Sequence, residues 1–424
     1  MREHMIAQKY EVELLKRQPY VKREAGEKLR KYLNTDLIKV ITGPRRAGKS
    51  FLAVRTLKEN FGYVNFDDEV LAKADDLNEV LKLAHEVYGD FRTIFLDEIQ
   101  NVRSWELFVN RLGRLGYNVI ITGSNSKLLS SELATHLTGR YIEVKVFPFS
   151  FGEFLRANNI EPKVETSFQE GKVLSKLSEY LERGGFPEVV VKGYDYRDYG
   201  RMLFDSIIMK DVVKRKNVKY SSSLYELALY LVSNFAREFS YTRLKNALDV
   251  GSVHTVKNYV DYLEEAFIIL KAERFSYKVR ESLKSPRKIY VVDPAFLSAG
   301  FVPSPDLGRK MENAVAVELV RRGYRLYYWR DERGEVDFVL RKGLNVEELI
   351  QVTKEITKNN YRREVKNLVE VGKRLRAEKL TVITWDEEGS IREGGRDVRV
   401  VPLWKWLIEA TTKSGLMGGY ATLK

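Results

Sequence analysis

The sequence predicts a multi-domain α/β protein, and three observations carry that prediction. The chain has 424 residues, more than one core accommodates at roughly 100–200 residues per domain. Between Leu37 and Phe147 short apolar runs alternate with amphipathic stretches, the pattern of a parallel sheet flanked by helices. After Pro148 the pattern turns helical, and from Leu307 it returns to mixed helix and strand.

Taken in order, residues 10–34 read as a charged amphipathic helix leading into a first strand at Leu37–Thr42. Further strands are expected at Tyr63–Phe66, Thr93–Leu96, Asn118–Thr122 and Ile142–Phe147. Helices are expected between them at Ser50–Glu59, Leu77–Tyr88, Trp105–Leu115 and Leu128–His136. Thr93–Leu96 is continuously apolar, as a strand covered on both faces must be. Residues 150–220 read as helices interrupted at Gly184-Gly185-Phe186-Pro187. Three helical segments follow over 221–275, the third at Val253–Leu270 and succeeded by strand-like residues. Beyond Leu307 come a helix at 310–322, strands near 325–330, 335–340 and 347–353, a helix at 359–376 and a strand at Leu380–Trp385. Ser414–Lys424 read as a frayed end.

Composition narrows the function classes. No segment approaches the ~20 uninterrupted apolar residues that span a bilayer. The start, MREHMIAQKYEVELLKRQ, is charged throughout and lacks the apolar centre of a secretory signal, so a cytoplasmic location without membrane contact is expected. The chain has no Cys, which excludes disulfides and thiolate-bound zinc. The four His, His4, His85, His136 and His254, are scattered singly rather than at metal-ligand spacing. The net charge of +13 suits a polyanionic partner such as DNA; the alternative is a basic excess spread over solvated faces.

Chemistry concentrates in ITGPRRAGKS, residues 41–50. Gly43, four residues, then Gly48-Lys49-Ser50 is the spacing of a phosphate-binding loop, here placed between an apolar strand and a helix. Small residues let backbone N–H groups approach phosphates, and the helix that follows presents its N-terminus to their charge. Gly43, Pro44, Arg45, Arg46, Ala47, Gly48, Lys49, Ser50 and Phe51 are therefore the candidate ATP contacts. Lys49 supplies a cation to the β- and γ-phosphates, and Ser50 a hydroxyl to magnesium. In TIFLDEIQN, residues 93–101, Asp97 leaves a buried strand as the second magnesium partner, and Glu98 is positioned to polarise water. In VIITGSNS, residues 119–126, Ser124 and Asn125 stand at the end of a strand, where Asn125 either orients the water or caps the next helix.

These segments, with Gly139-Arg140, PFSFGEF at 148–154 and GGFPEVV at 184–190, resemble the AAA+ ATPases. More narrowly they resemble a prokaryotic, largely archaeal group that fuses this module to a winged helix and a C-terminal domain similar to restriction-type nucleases. The resemblance implies sheet order 5-1-4-3-2, a helical lid after the fifth strand, and a homo-oligomer in which one subunit supplies an arginine to its neighbour's nucleotide. Arg140 is the first candidate for that finger, a surface salt bridge being the alternative, and Arg45 or Arg46 come next. Arg183 is a further candidate to touch phosphate. The implied domains are an ATPase domain at 1–160, lid and linker at 161–220, a winged helix at 221–300 and a nuclease-like domain at 301–424.

Residues 239–269 read as helix, turn (Asp249-Val250-Gly251-Ser252) and helix. Val256, Tyr259, Val260, Leu263 and Ala266 form a core stripe, and His254, Thr255, Lys257, Asn258 and Asp261 an opposite face suited to DNA. In the nuclease-like region Glu312 and Asp337 match acidic positions of that fold, while Gln351 and Thr353 stand where an acid and a Lys are needed. Lys354 is adjacent, but alternation along a strand turns it to the other face unless a bulge intervenes. A degenerate nuclease fold is expected. The functional expectation is a magnesium-dependent ATPase acting on DNA, the alternatives being a nucleotide-gated switch acting on proteins and an ATP-regulated nuclease.

Overall fold

The computed structural model describes residues 1–57, 60–124, 139–248, 250–301, 306–332 and 334–413. The expected helix at Leu128–His136, Asn125, Asp249 of the turn and the expected frayed end lie outside them. The chain forms two compact units: Met1–Pro148 with Glu265–Phe267, and Phe149–Glu264 with the residues from Ile268 onward.

In the first unit the predicted N-terminal helix is two helices, α1 (Arg2–Arg17) and α2 (Glu24–Tyr32). Pro19 explains the break: the residue before a proline is driven out of the helical region, and Gln18 is extended at ψ 149°. Five parallel strands follow, β1 (Ile38–Thr42), β2 (Phe61–Asn65), β3 (Thr93–Asp97), β4 (Asn118–Gly123) and β5 (Tyr141–Lys145). Their order, β2-β3-β4-β1-β5, is the one that the resemblance implies. β2 begins two residues earlier than expected because Gly62 belongs to it. A Cβ there would lie 2.5 Å from the Phe91 ring, so the strand needs the glycine to receive that side chain.

Neighbouring residues of each strand enter opposite cores, as the two-residue period requires. Val40, Val64, Leu96 and Ile121 pack on one face with Phe108 and Leu112 of α5 (Trp105–Arg114). Ile41, Tyr63, Phe95 and Ile120 pack on the other with Leu52 and Ala53 of α3 (Lys49–Thr56). Each such buried side chain contributes about 1.5–3 kcal/mol. The helix α4 (Leu77–Tyr88) has the predicted bounds.

The second unit opens where Ser150 and Glu153 form a reciprocal cap for α6 (Phe151–Ala157). The Phe149 N–H donates to Gly185 O at 2.7 Å, which ties this helix to the Gly-Gly-Phe-Pro turn. Helices α7 (Ser167–Arg183), α8 (Pro187–Lys192), α9 (Tyr196–Ser206) and α10 (Ser221–Ser233) follow. The helix–turn–helix is α11 (Tyr241–Ala247) and α12 (Val253–Glu265). The expected helix at Val253–Leu270 stops short because Phe267 takes φ 56°, a left-handed turn that L-residues adopt only singly.

Two sheets complete this unit. The first joins β6 (Arg237–Phe239), β7 (Ile269–Arg274), β8 (Arg287–Val291), β9 (Tyr327–Arg330) and β10 (Glu335–Val336) in the order β10-β9-β7-β8-β6. The expected division at 300 therefore falls inside one sheet: β7 pairs in parallel with β9, Glu273 opposite Tyr327. After α13 (Val279–Lys284) and α14 (Leu307–Arg321), the last sheet joins β11 (Phe338–Lys342), β12 (Asn345–Val352), β13 (Lys379–Thr384), β14 (Gly389–Glu393) and β15 (Arg396–Pro402). The hairpin β14–β15 and the helix Leu403–Lys413 were not expected. Its two-residue turn is Gly394-Gly395, at φ 54° and 77°, a composition that marks tight hairpins.

Two glycines test this packing in opposite directions. A Cβ on Gly200 in α9 would meet Ala295 O at 2.1 Å, whereas Gly171 in α7 has nothing within 4 Å. Gly200→Ala is expected to cost about 1–3 kcal/mol, read as a lower urea midpoint. Gly171→Ala is expected to add about 0.5–1 kcal/mol.

Candidate functional site

The loop after β1 requires glycine at both ends. A Cβ on Gly43 would lie 2.0 Å from Val146 O, and Gly48 turns the chain into α3 at φ 89°. Arg46 also has positive φ, 66°, which places it at the exposed crest while Pro44 and Ala47 are buried and Arg45 half-buried. Lys49 opens α3 with its side chain folded back into the loop. It is only 5% exposed, and its Nζ donates to Gly43 O and Pro44 O at 3.1 Å each.

Opposite the loop, Asp97 ends β3 almost without solvent, 3% exposed. Its carboxylate accepts from the Tyr63 hydroxyl at 3.0 Å, from Thr122 Oγ1 and from Ser50. Burial, then the neighbouring Glu98 charge, raises its pKa, and the Ser50, Thr122 and Tyr63 hydrogen bonds oppose that rise. Tyr63 is held as a neutral donor, its own pKa raised well above the usual value by burial and by Asp97. Ser50 and Asp97, the two expected magnesium partners, are thus in contact. Hydroxyls supply Asp97 with hydrogen bonds but with no compensating charge, so the donor set fits a hydrated divalent cation.

Glu98 takes φ 49°, uncommon for a residue with a side chain. Its N–H donates to Thr122 Oγ1 at 2.9 Å, its Oε2 accepts from Gln100, and its Oε1 stands 3.8 Å from Lys49 Nζ. Thr122 therefore joins the two acidic positions, donating to one and accepting from the backbone of the other. Beyond it Ser124 Oγ is buried and has no hydrogen-bond partner among the described residues, leaving a hydroxyl for a ligand. Asn125 lies outside the described residues.

Two contributors carry no signal in the sequence. Arg23, 4% exposed, donates to Ala47 O at 3.0 Å and Phe147 O at 2.5 Å, pinning the loop to the residues beyond β5. Tyr20 lies with its ring centroid 5.8 Å from that of Phe51. Both belong to the break between α1 and α2, a stretch whose charged composition reads as ordinary surface.

Arg140 is exposed and precedes β5, its carbonyl accepting from Ile38 N at 3.0 Å. It stands at the opposite end of the sheet from the loop, a five-residue strand or roughly 16 Å away, and so cannot serve the loop of its own chain directly.

In the second unit, Arg183 pairs with Glu179 at 3.0 Å. The expected stripe of Val256, Tyr259, Val260, Leu263 and Ala266 is buried. On the other face His254 and Lys257 are exposed, Asn258 bonds to His254 at 3.3 Å, the Thr255 N–H donates to the capping Ser252 Oγ at 3.0 Å, and Asp261 is ion-paired to Lys271. Glu312 and Asp337 are brought together, both within bonding distance of Lys288. Gln351 is buried and donates to Glu364 at 2.9 Å, and Thr353 donates to Glu355 O at 3.1 Å. Lys354 is exposed, beyond the end of β12 and not redirected by a bulge.

Comparison with known proteins agrees with this geometry in the first unit. Residues 35–155 match an AAA domain, and residues 174–303 and 307–406 match two domains of unknown function. An uncharacterized protein of Methanocaldococcus jannaschii is 36% identical over 397 residues, 87% of this chain and 88% of that protein. An uncharacterized protein of Haemophilus influenzae is 33% identical over 366 residues, 81% of this chain and 89% of its own. Among solved structures, a Walker-type ATPase of Pyrococcus abyssi aligns at 18% identity and a TM-score of 0.43, covering 68% of this chain and 99% of that one. The AAA match supports a nucleotide-hydrolysing ATPase. With 36% identity across 88% of the Methanocaldococcus jannaschii protein, the chain belongs to that protein's family, with an AAA domain at residues 35–155.

Proposed function

We propose that this protein is a magnesium-dependent ATPase whose hydrolysis is coupled to DNA. One observation carries the ATPase reading: Lys49 Nζ sits between two loop carbonyls and 3.8 Å from Glu98, while Glu98 is anchored through Thr122 to Asp97. In this reading the backbone from Gly43 to Ser50 receives the phosphates, with Arg45, Arg46 and Phe51 bordering them. Lys49 exchanges its carbonyl partners for the β- and γ-phosphates. Ser50 and Asp97 would hold magnesium, which would supply positive charge against that developing on the phosphates. Glu98 accepts the hydrogen bond that orients the attacking water, and Asn125 assists it. Arg140 completes a neighbouring subunit's site in a homo-oligomer.

The DNA reading rests on the net charge of +13 and on the helix–turn–helix. There His254, Lys257 and Arg243 are exposed, and Lys271 is ion-paired with Asp261 and Glu264.

Lys49→Ala is expected to abolish nucleotide binding and turnover together, and an unchanged rate of phosphate release would refute the assignment. Glu98→Gln should keep ATP affinity while lowering the rate on the order of 10²–10⁴-fold, measured by equilibrium binding and single-turnover hydrolysis. Duplex DNA should raise the rate. Lys257→Glu should weaken DNA binding and make it less salt-dependent without altering turnover in DNA's absence, as followed by anisotropy across a salt series.

A further inference from the structure

The likeness of the C-terminal region to restriction-type nucleases implies a divalent cation held by Glu312 and Asp337. The residues present do not fit one. Their carboxylates converge on an ammonium supplied by β8, a strand of the other sheet. Lys288 Nζ lies 2.6 Å from Glu312 Oε1, 2.6 Å from Glu335 Oε1 and 3.3 Å from Asp337 Oδ1. An ammonium has three N–H donors; here it donates to Glu335 and Asp337 and is ion-paired with Glu312. Lys288 is 4% exposed, so its charge is met almost wholly by protein groups.

The surrounding groups close the remaining positions. The Tyr290 hydroxyl donates to Glu312 Oε1 at 2.7 Å. The second oxygen of Asp337 accepts from Val352 N at 2.9 Å, and Gln351 turns its amide to Glu364, which Arg363 neutralises. Burial opposes the charge on Lys288, yet Tyr290 and the carboxylates of Glu312, Asp337 and Glu335 outweigh it and hold the ammonium well above the ordinary lysine pKa. Among the described residues no group of three or more acidic or imidazole side chains is arranged to hold a metal ion, whereas magnesium demands near-octahedral oxygen ligands.

We propose that Lys288 is a tethered replacement for the divalent cation: its ammonium fills the position on which Glu312, Glu335 and Asp337 converge, so the pocket takes up no metal and cuts no nucleic acid. The lysine missing beside Gln351 is therefore not the only departure from a working nuclease. A second lysine, from a segment assigned to a different domain, has closed the cation position.

The test is Mn²⁺ binding to the full-length chain without nucleotide, followed by the paramagnetic resonance of free Mn²⁺, which leaves the ATPase reading untouched. The unaltered protein and Asp337→Asn should bind Mn²⁺ equally. Lys288→Met should gain one ion per chain, bound at least about tenfold more tightly than by the unaltered protein. Adding Asp337→Asn to Lys288→Met should remove that gain. Mn²⁺ should also raise the melting temperature of Lys288→Met, by mass action on the folded state, and not that of the unaltered chain. A Mn²⁺ ion lost from the otherwise unaltered protein on Asp337→Asn, or metal-dependent nicking of DNA abolished by it, would overturn the proposal. So would a folded Lys288→Met chain that gains no metal. If Lys288→Met does not fold, the comparison of the unaltered protein with Asp337→Asn still decides it.

Discussion

The first unit is organised around a carboxylate deprived of water. Asp97 sits at the end of the central run of parallel strands, and taking a charge out of solvent is costly unless its surroundings replace the lost hydration. Three hydroxyls do this, Ser50 from the loop helix, Tyr63 from β2 and Thr122 from β4. Each comes from a different element, so the sheet order and the carboxylate's solvation are one constraint. Moving any of the three strands or the helix leaves an unsatisfied group in the core. Because Thr122 also holds the Glu98 backbone, the same constraint fixes the strained residue beside the loop.

The second unit meets a similar electrostatic problem with the opposite solution. Where Asp97 receives hydrogen bonds without charge, Glu312, Glu335 and Asp337 receive both from Lys288. A hydroxyl-lined carboxylate stays open to a cation; in the ammonium-lined cluster the position between the carboxylates is already filled. Paired buried charges are weak contributors to net stability but costly to break. Lys288 thus fixes the positions of α14, β10 and β11 around β8 more firmly than it stabilises the whole.

What could be read from the sequence is what chemistry demands locally. The loop from Gly43 to Ser50 is legible because close backbone approach, a left-handed turn and a lysine must follow one another within a few residues. The alternation of strands and helices up to Phe147 is legible because both sheet faces are covered. Arg23, Thr122 and Lys288 were not singled out, since each matters through partners tens of residues away and is unremarkable in composition. The break between α1 and α2 is legible too, since Pro19 drives Gln18 out of the helical region. The Gly394-Gly395 hairpin carries an equally local signal, two adjacent glycines at positive φ. The pairing of β7 with β9 across the expected division at 300 was not legible for a different reason: strand pairing is not encoded by the periodicity of either segment.

That pairing bears on how such a chain can be inherited. The matched family regions end at 303 and resume at 307, as though a gene could be cut there and each half recombined elsewhere. Yet β7 and β9 are neighbours in one ladder, and a crossover at this point would leave a bare strand edge on each fragment, an invitation to aggregate.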